Sequence, residues 1–231
     1  MAPSVANRKY DVIVVGAGIA GLYLMHKLTG MGFSIRGFET AGEIGGTWHW
    51  NRYPGARCDV DSIFYSYQFD ESLQQEWVWT ERYASQPEIL RYLNFVADRL
   101  DLRKHIQFNT RIKSARYDEP EQQWYLESEE GKTATAKFCI MATGCLSAAN
   151  SPKISGSCDF RGPIYHTAHW PNDAVDFAFE ILKLYSGIRP NKSIANVFYI
   201  LGEIYQAKGL SVQALEYYTE AERENVESGS L

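Results

Sequence analysis

Tyr10-Asp11-Val12-Ile13-Val14-Val15-Gly16-Ala17-Gly18-Ile19-Ala20-Gly21 decides the fold. A short β-branched run of strand type breaks directly into Gly-x-Gly-x-x-Gly, and an apolar helical pattern (Leu22, Leu24, Met25, Leu28) follows. This is the opening of a dinucleotide cradle. Gly16 permits the tight turn off the strand, Gly18 lets the backbone approach a pyrophosphate, and Gly21 lets the helix pack on the strand. The helix N-terminus then offers free N–H groups and the positive end of its dipole to phosphates.

Working outward, a second strand over 34–38 ends in Glu39, eighteen residues beyond Gly21. An acidic residue there accepts hydrogen bonds from a ribose diol and repels a 2′-phosphate, which points to FAD or NAD rather than NADP as the first nucleotide. At 231 residues, 45% hydrophobic and 14% aromatic, the chain can bury a substantial core. That length suits one large domain, or one domain with a small module. The net charge of −5 and the absence of any Lys/Arg block argue against nucleic acid or an anionic membrane as partner.

The longest apolar run, 12–25, carries three glycines and belongs to the cradle, so no transmembrane span is expected. Residues 1–9 contain no apolar core of signal-peptide type, and a cytoplasmic location is expected. Cys58, Cys139, Cys145 and Cys158 form no Cys-x-x-Cys pair and have no histidine at zinc spacing. They read as reduced thiols, with no metal site.

Residues 41–59 are interrupted repeatedly by Gly and Pro while aromatics and charges alternate without a period, so the stretch reads as a long ordered loop with no regular helix or strand. A long loop rich in Trp, Tyr and Arg is usually functional, the alternative being an aromatic clamp that only closes the core. Ser85-Gln86-Pro87-Glu88 is a capping box that opens an amphipathic helix to about Leu100. Strands follow over 106–117, 122–128 and 133–141, the last leading into Ala142-Thr143-Gly144. Further on, 178–185 reads as an amphipathic helix.

Gly45-Gly46-Thr47-Trp48-His49-Trp50-Asn51-Arg52-Tyr53-Pro54-Gly55-Ala56-Arg57-Cys58-Asp59 resembles the second glycine segment of the type I Baeyer–Villiger monooxygenases. Those flavoenzymes use FAD, NADPH and O₂ to convert ketones to esters or lactones. Phe160, Gly162, His166, Trp170 and Pro171 stand at the spacing of that family's fingerprint. The resemblance extends over about 10–177 and implies an FAD-binding, NADPH-using monooxygenase with a ketone substrate. It places Gly16, Gly18 and Gly21 on the pyrophosphate, Ala20 among the cofactor-binding residues and Glu39 on the adenosine ribose. Gly46, Thr47, Trp48, His49, Trp50, Tyr65 and Ile112 fall on the FAD side. Arg57, Cys58 and Asp59 match a segment that also meets NADP, and Asp59 matches an aspartate that tunes a catalytic arginine. His166 and Trp170 match a linker that couples domain movement to NADPH binding.

After 177 the resemblance stops, and no second Gly-x-Gly-x-x-Gly occurs in the sequence. The domain that would hold NADPH, and the arginine within it, therefore have no counterpart. Phe198, Leu201, Gly202, Tyr205, Ala214, Tyr218 and Ala221 instead resemble a tetratricopeptide repeat, which implies one helix near 193–208 and a second near 211–224. One such repeat cannot bury its own apolar face, which implies a protein partner or self-association through 178–231. The expected fold is α/β: a Rossmann-like FAD-binding domain of parallel sheet plus β-meander over 1–177, then an α-helical hairpin over 178–231. An alternative function is a vestigial flavin scaffold that acts in protein interaction through the tail.

Overall fold

A computed structural model describes residues 8–53, 55–161, 164–170, 192–207 and 209–229. Pro54, Gly162, Pro171 and the helix expected over 178–185 lie outside the described residues. The chain forms two compact units. The first comprises Met1–Trp50, Val60–Ala84 and Glu88–Ser151; the second comprises Asn51–Asp59, Ser85–Pro87 and Pro152–Leu231.

In the first unit, β1 (Arg8–Val15), β2 (Ile35–Phe38), β3 (Ile106–Gln107), β4 (Ile112–Asp118), β5 (Gln123–Ser128) and β6 (Thr133–Met141) form one sheet. Its order is β3-β2-β1-β6-β5-β4. β3, β2, β1 and β6 run parallel, whereas β5 and β4 join antiparallel, so a meander is appended to a Rossmann-like sheet. The parallel strands place the ends of β1 and β2 side by side, with Val15 opposite Phe38. Whatever follows those two strands is thereby gathered at one rim of the sheet.

Helix α1 (Ile19–Gly30) buries Gly21, Leu22 and Met25. A Cβ on Gly37 would lie 2.6 Å from Met25 Sδ, so the glycine in β2 is what lets the methionine settle on the strand. Helix α4 (Gln86–Arg99) buries Ile89, Tyr92, Leu93, Val96 and Ala97, the i, i+3, i+4, i+7, i+8 stripe of an amphipathic helix. Its Glu88 carboxylate reaches beyond the first turn to accept the Thr80 N–H at 2.8 Å. A short helix α3 (Glu71–Glu76) is capped by Asp70, whose Oδ1 accepts the Ser72 N–H at 2.9 Å.

Two sequence expectations are corrected. The single strand over 106–117 is divided into β3 and β4, because Asn109 turns at φ 50°, a left-handed conformation that asparagine tolerates. The turn is fixed by hydrogen bonds from Asn109 N–H to Ala41 O at 3.0 Å and from Thr110 N–H to Glu39 O at 2.8 Å. The loop over 41–59 also contains a one-turn helix α2 (Thr47–Trp50), closed by Trp48 N–H on Gly45 O and His49 N–H on Gly46 O. Four residues are too few to show a helical period.

In the second unit, helices α5 (Lys192–Ala207) and α6 (Ser211–Glu227) pack on each other through buried Val197, Leu201, Ala214 and Ala221. A Cβ on Gly202 would lie 2.5 Å from the Tyr218 ring, and the Tyr218 hydroxyl donates to Glu203 Oε1 at 2.7 Å. In a solvent-facing helix Ala would be favoured over Gly by about 1 kcal/mol. Here the methyl must displace the ring, so Gly202→Ala is expected to destabilise the helical pair by about 1–3 kcal/mol. Limited proteolysis of the pair reads this out: faster cleavage within 192–227 than in the parent is the expected result. Among the described residues, no helix is long and apolar enough to cross a membrane.

Candidate dinucleotide site

The site begins where β1 ends. Gly16 has φ 109°, and a Cβ on it would lie 2.4 Å from the Ala142 carbonyl oxygen, so no other residue fits between β1 and the chain leaving β6. The Gly16 N–H donates to Phe38 O at 2.8 Å, which ties the turn to the end of β2. Gly21 is tighter still, since its Cβ would lie 2.0 Å from Gly16 O. These two glycines carry the fold, as their spacing implied.

Gly18 has a different neighbour. Its absent Cβ would sit 3.4 Å from Gly46 Cα, while a Cβ on Gly46, at φ 53°, would sit 2.9 Å from Gly18 Cα. The two glycine segments of the sequence therefore meet backbone to backbone. The Gly45 N–H donates to Ala17 O at 3.1 Å and holds them in register. Gly18 is also the N-cap of α1, and no side-chain hydrogen bond caps that helix end. Ile19 and Ala20 in its first turn are exposed. An uncapped helix start beside side-chain-free backbone fits the pyrophosphate of a dinucleotide.

Glu39 lies at the end of β2 and is only 6% exposed. Its Oε2 accepts the Ala17 N–H at 2.7 Å and its Oε1 accepts the Ala41 N–H at 2.8 Å. The carboxylate thus clamps the glycine turn to the loop after β2 through two charge-assisted bonds. No local pattern signals this backbone role, because glutamate at this spacing reads equally well as a ribose acceptor alone.

α2 follows immediately. Trp48 is buried and meets the Tyr65 ring edge-on at 5.6 Å, and the His49 ring meets Trp50 edge-on at 5.0 Å. Trp50 remains exposed, as does much of the segment 60–64. Ile112, expected on the FAD side, is half-buried on β4 against a cluster of Ile13, Phe38 and Leu126. Tyr67 was missed. Its hydroxyl donates to Ile19 O at 2.6 Å, and its N–H donates to Tyr92 Oη at 2.7 Å. Burial pushes the Tyr67 phenol far above its ordinary range, so it remains a donor. Tyr67→Phe is expected to lower stability by about 1 kcal/mol, with thermal melts as the measurement.

Arg57, Cys58 and Asp59 belong to the second unit. Arg57 Nη2 lies 3.9 Å from Glu203 Oε2 of α5, Cys58 is buried, and Asp59 is exposed. Residue 57 also bridges Ser85 in antiparallel fashion, and the Gln86 N–H donates to Ala56 O at 2.8 Å. Of the fingerprint positions described, Phe160 is exposed, and His166 Nδ1 accepts the Ala168 N–H at 3.1 Å, capping a short 3-10 turn. Trp170 is half-buried, its ring 6.5 Å from that of Tyr165. Among the described residues no cluster of His, Cys, Asp or Glu is built to hold a metal.

Comparison with known proteins agrees with this geometry. Residues 14–75 match the model of the NAD(P)-binding Rossmann-like domain. The chain is 46% identical over 168 residues to an acetone monooxygenase (methyl acetate-forming) from Gordonia, covering 73% of this chain and 32% of that one. It is also 46% identical over 170 residues to a Baeyer–Villiger monooxygenase from Pseudooceanicola batsensis, covering 73% and 31%. Among solved structures, an oxidised steroid monooxygenase bound to NADP aligns with TM-score 0.68 and 55% identity over 73% of this chain and 32% of that one. A second, solved in complex with FAD and NADP under the name OTEMO, aligns with TM-score 0.67 and 43% identity over 71% and 31%. The chain thus spans about a third of the length of the curated relatives it matches.

Proposed function

We propose that residues 1–177 are the FAD-binding part of a Baeyer–Villiger-type monooxygenase that uses FAD, NADPH and O₂ to convert a ketone to an ester or lactone. The observation that carries this reading is the backbone contact of Gly18 with Gly46 beside the uncapped start of α1, with Glu39 fixing the turn from below. Similarity to monooxygenases at 46% identity supports the chemistry. Bound FAD would supply the oxygen-activating chemistry of the reaction.

This chain's own residues would bind and orient. Gly16, Gly18, Ala20 and Gly21 form the pyrophosphate seat, Glu39 orders that seat and faces the adenosine ribose, and Gly46, Thr47, Trp48, His49, Trp50, Tyr65 and Ile112 form the FAD side. Asp59 is the proposed catalytic residue, with Arg57 and Cys58 beside it in sequence toward NADPH. Phe160, Gly162, His166, Trp170 and Pro171 are the proposed coupling linker. Cys58, Cys139, Cys145 and Cys158 are all unpaired thiols, which suits a cytoplasmic location. The test is spectroscopic and then kinetic. Purified chain with added FAD is expected to hold flavin absorbance through gel filtration, and NADPH with a ketone series is then followed at the nicotinamide band. A preparation that takes up no FAD overturns the reading; one that holds FAD but leaves NADPH unoxidised limits this chain to the binding part.

A second reading is favoured by one observation: α5 and α6 pack as a pair while Val212, Leu215 and Val226 of α6 remain exposed. In that reading 178–231 is a tetratricopeptide-like module that recruits a protein partner or a second copy, and the flavin-binding part is a scaffold. Light scattering of the chain with and without 178–231 tests it, and an unchanged mass counts against it.

A further inference from the structure

The peptide unit joining Ile19 to Ala20 opens α1 beside the glycine turn. With Gly18 as N-cap, the first bond that closes the helix runs from the Leu22 N–H to Gly18 O at 3.0 Å. The N–H groups of Ile19, Ala20 and Gly21 therefore precede the intrahelical ladder and point toward the helix start. Ile19 and Ala20 are exposed there. On the other side of the same peptide unit, the Ile19 carbonyl accepts the Tyr67 hydroxyl at 2.6 Å.

The C=O and N–H of one peptide share a delocalised system and point in opposite directions along a helix. A donor placed on Ile19 O draws electron density toward that oxygen and leaves the Ala20 N–H more positive. Hydrogen bonds linked in this way strengthen one another by about 10–30% per bond. The Tyr67 hydroxyl is held firmly for the task. The residue is 9% exposed, and its own N–H donates to Tyr92 Oη of α4 at 2.7 Å. Its ring lies 5.1 Å from that of Phe69, which in turn stacks on His26 at 4.7 Å and meets Tyr23 at 5.3 Å, both on α1. Burial also keeps the phenol proton on its oxygen. A buried tyrosine hydroxyl needs a partner of some kind. This one is aimed at the carbonyl whose peptide N–H lies in the candidate pyrophosphate seat.

We infer that Tyr67 is a positioning residue for the dinucleotide: its hydroxyl fixes and polarises the Ile19–Ala20 peptide, so that the Ala20 N–H donates more strongly to a pyrophosphate. The identity of the ligand rests on the proposed function. Tyr67 acts on the ligand only through that peptide, so its influence falls on the anion and leaves the ribose and ring contacts as they are.

NMR titration of the flavin-free full chain with inorganic pyrophosphate tests this at the Ala20 amide, with FAD affinity measured on the same samples. In the parent, pyrophosphate is expected to shift the Ile19, Ala20 and Gly21 amides. Tyr67→Phe is expected to move the unliganded Ala20 amide proton upfield and to weaken pyrophosphate binding by about threefold or more. A fluorinated tyrosine at residue 67, a stronger donor of nearly the same shape, is expected to move that proton downfield and to tighten binding. It also carries the test where the phenylalanine variant does not fold. Tyr92→Phe removes a hydroxyl from the same aromatic cluster but spares the bond to Ile19 O. It is expected to lower the melting temperature and to leave pyrophosphate affinity within about twofold of the parent. Equal losses of affinity in Tyr67→Phe and Tyr92→Phe overturn the inference in favour of a purely structural role. Unchanged pyrophosphate affinity in Tyr67→Phe overturns it as well. FAD uptake that is indifferent to Tyr67→Phe removes only the role of Tyr67, whereas Tyr67-dependent pyrophosphate binding without FAD uptake removes only the proposed function. A parent whose Ala20 amide responds to neither pyrophosphate nor FAD overturns both.

Discussion

Gly21→Val is expected to lose flavin binding and to melt about 6–12 °C below the parent, from about 3 kcal/mol of overpacking at 2–4 °C per kcal/mol for a chain of this size. The reason is local. Even a methyl group at residue 21 would lie 2.0 Å from Gly16 O, a backbone atom that cannot rotate away, and Gly16 is itself wedged against Ala142 O. Relieving the clash means lifting α1 from the end of β1, which removes Leu22 and Met25 from the core and displaces the helix start from the cradle. Gly18→Ala provides the contrast. Its methyl would meet Gly46 Cα at 3.4 Å, an ordinary contact, so the melting temperature is expected to move by under about 3 °C. In the proposed reading the same methyl stands where the pyrophosphate would approach the backbone, and FAD affinity is expected to fall at least tenfold. Thermal melts without flavin and titrations with it distinguish a glycine that holds the fold from a glycine that holds the ligand.

That distinction marks the limit of what was legible in the sequence. The strand-turn-helix of 10–25, the acidic end of β2, helix α4 and strands β5 and β6 could be read directly, because each rests on a local period or on a residue type with a single conformational use. α2 has only one turn and therefore no period. The division of β3 from β4 depends on the Glu39 carbonyl and Ala41 taking the hydrogen bonds of Asn109 and Thr110, partners seventy residues away that no local pattern reveals. The contact of Gly18 with Gly46 is tertiary in the same sense: the two glycine segments were each recognisable, but only the fold shows that one closes on the other. Tyr67 escaped notice because it lies in a run, 64–69, where four of six residues are aromatic and nothing in the order marks the one that bonds to α1.

Glu39 is proposed to face the adenosine ribose, yet its largest expected effect precedes any ligand. Both carboxylate oxygens accept backbone N–H groups in a site that is 6% exposed. Glu39→Ala would leave the N–H groups of Ala17 and Ala41 without their acceptor, at about 1–3 kcal/mol each. The apo chain is therefore expected to lose about 4 kcal/mol and to melt about 8–16 °C lower. Glu39→Gln keeps one carbonyl acceptor but turns an amide NH₂ toward the other donor, so it is expected to lose about half as much. A residue that only met the ribose would leave the melting temperature of the flavin-free chain unchanged in both variants and would lower FAD affinity alone. The graded loss in apo melts, Ala beyond Gln, is thus the signature of a carboxylate that builds the cradle as well as serving it. The ordering follows from the acceptor set: the carboxylate offers one oxygen to each of the two backbone donors, whereas an amide of the same length offers an oxygen to one and an NH₂ to the other.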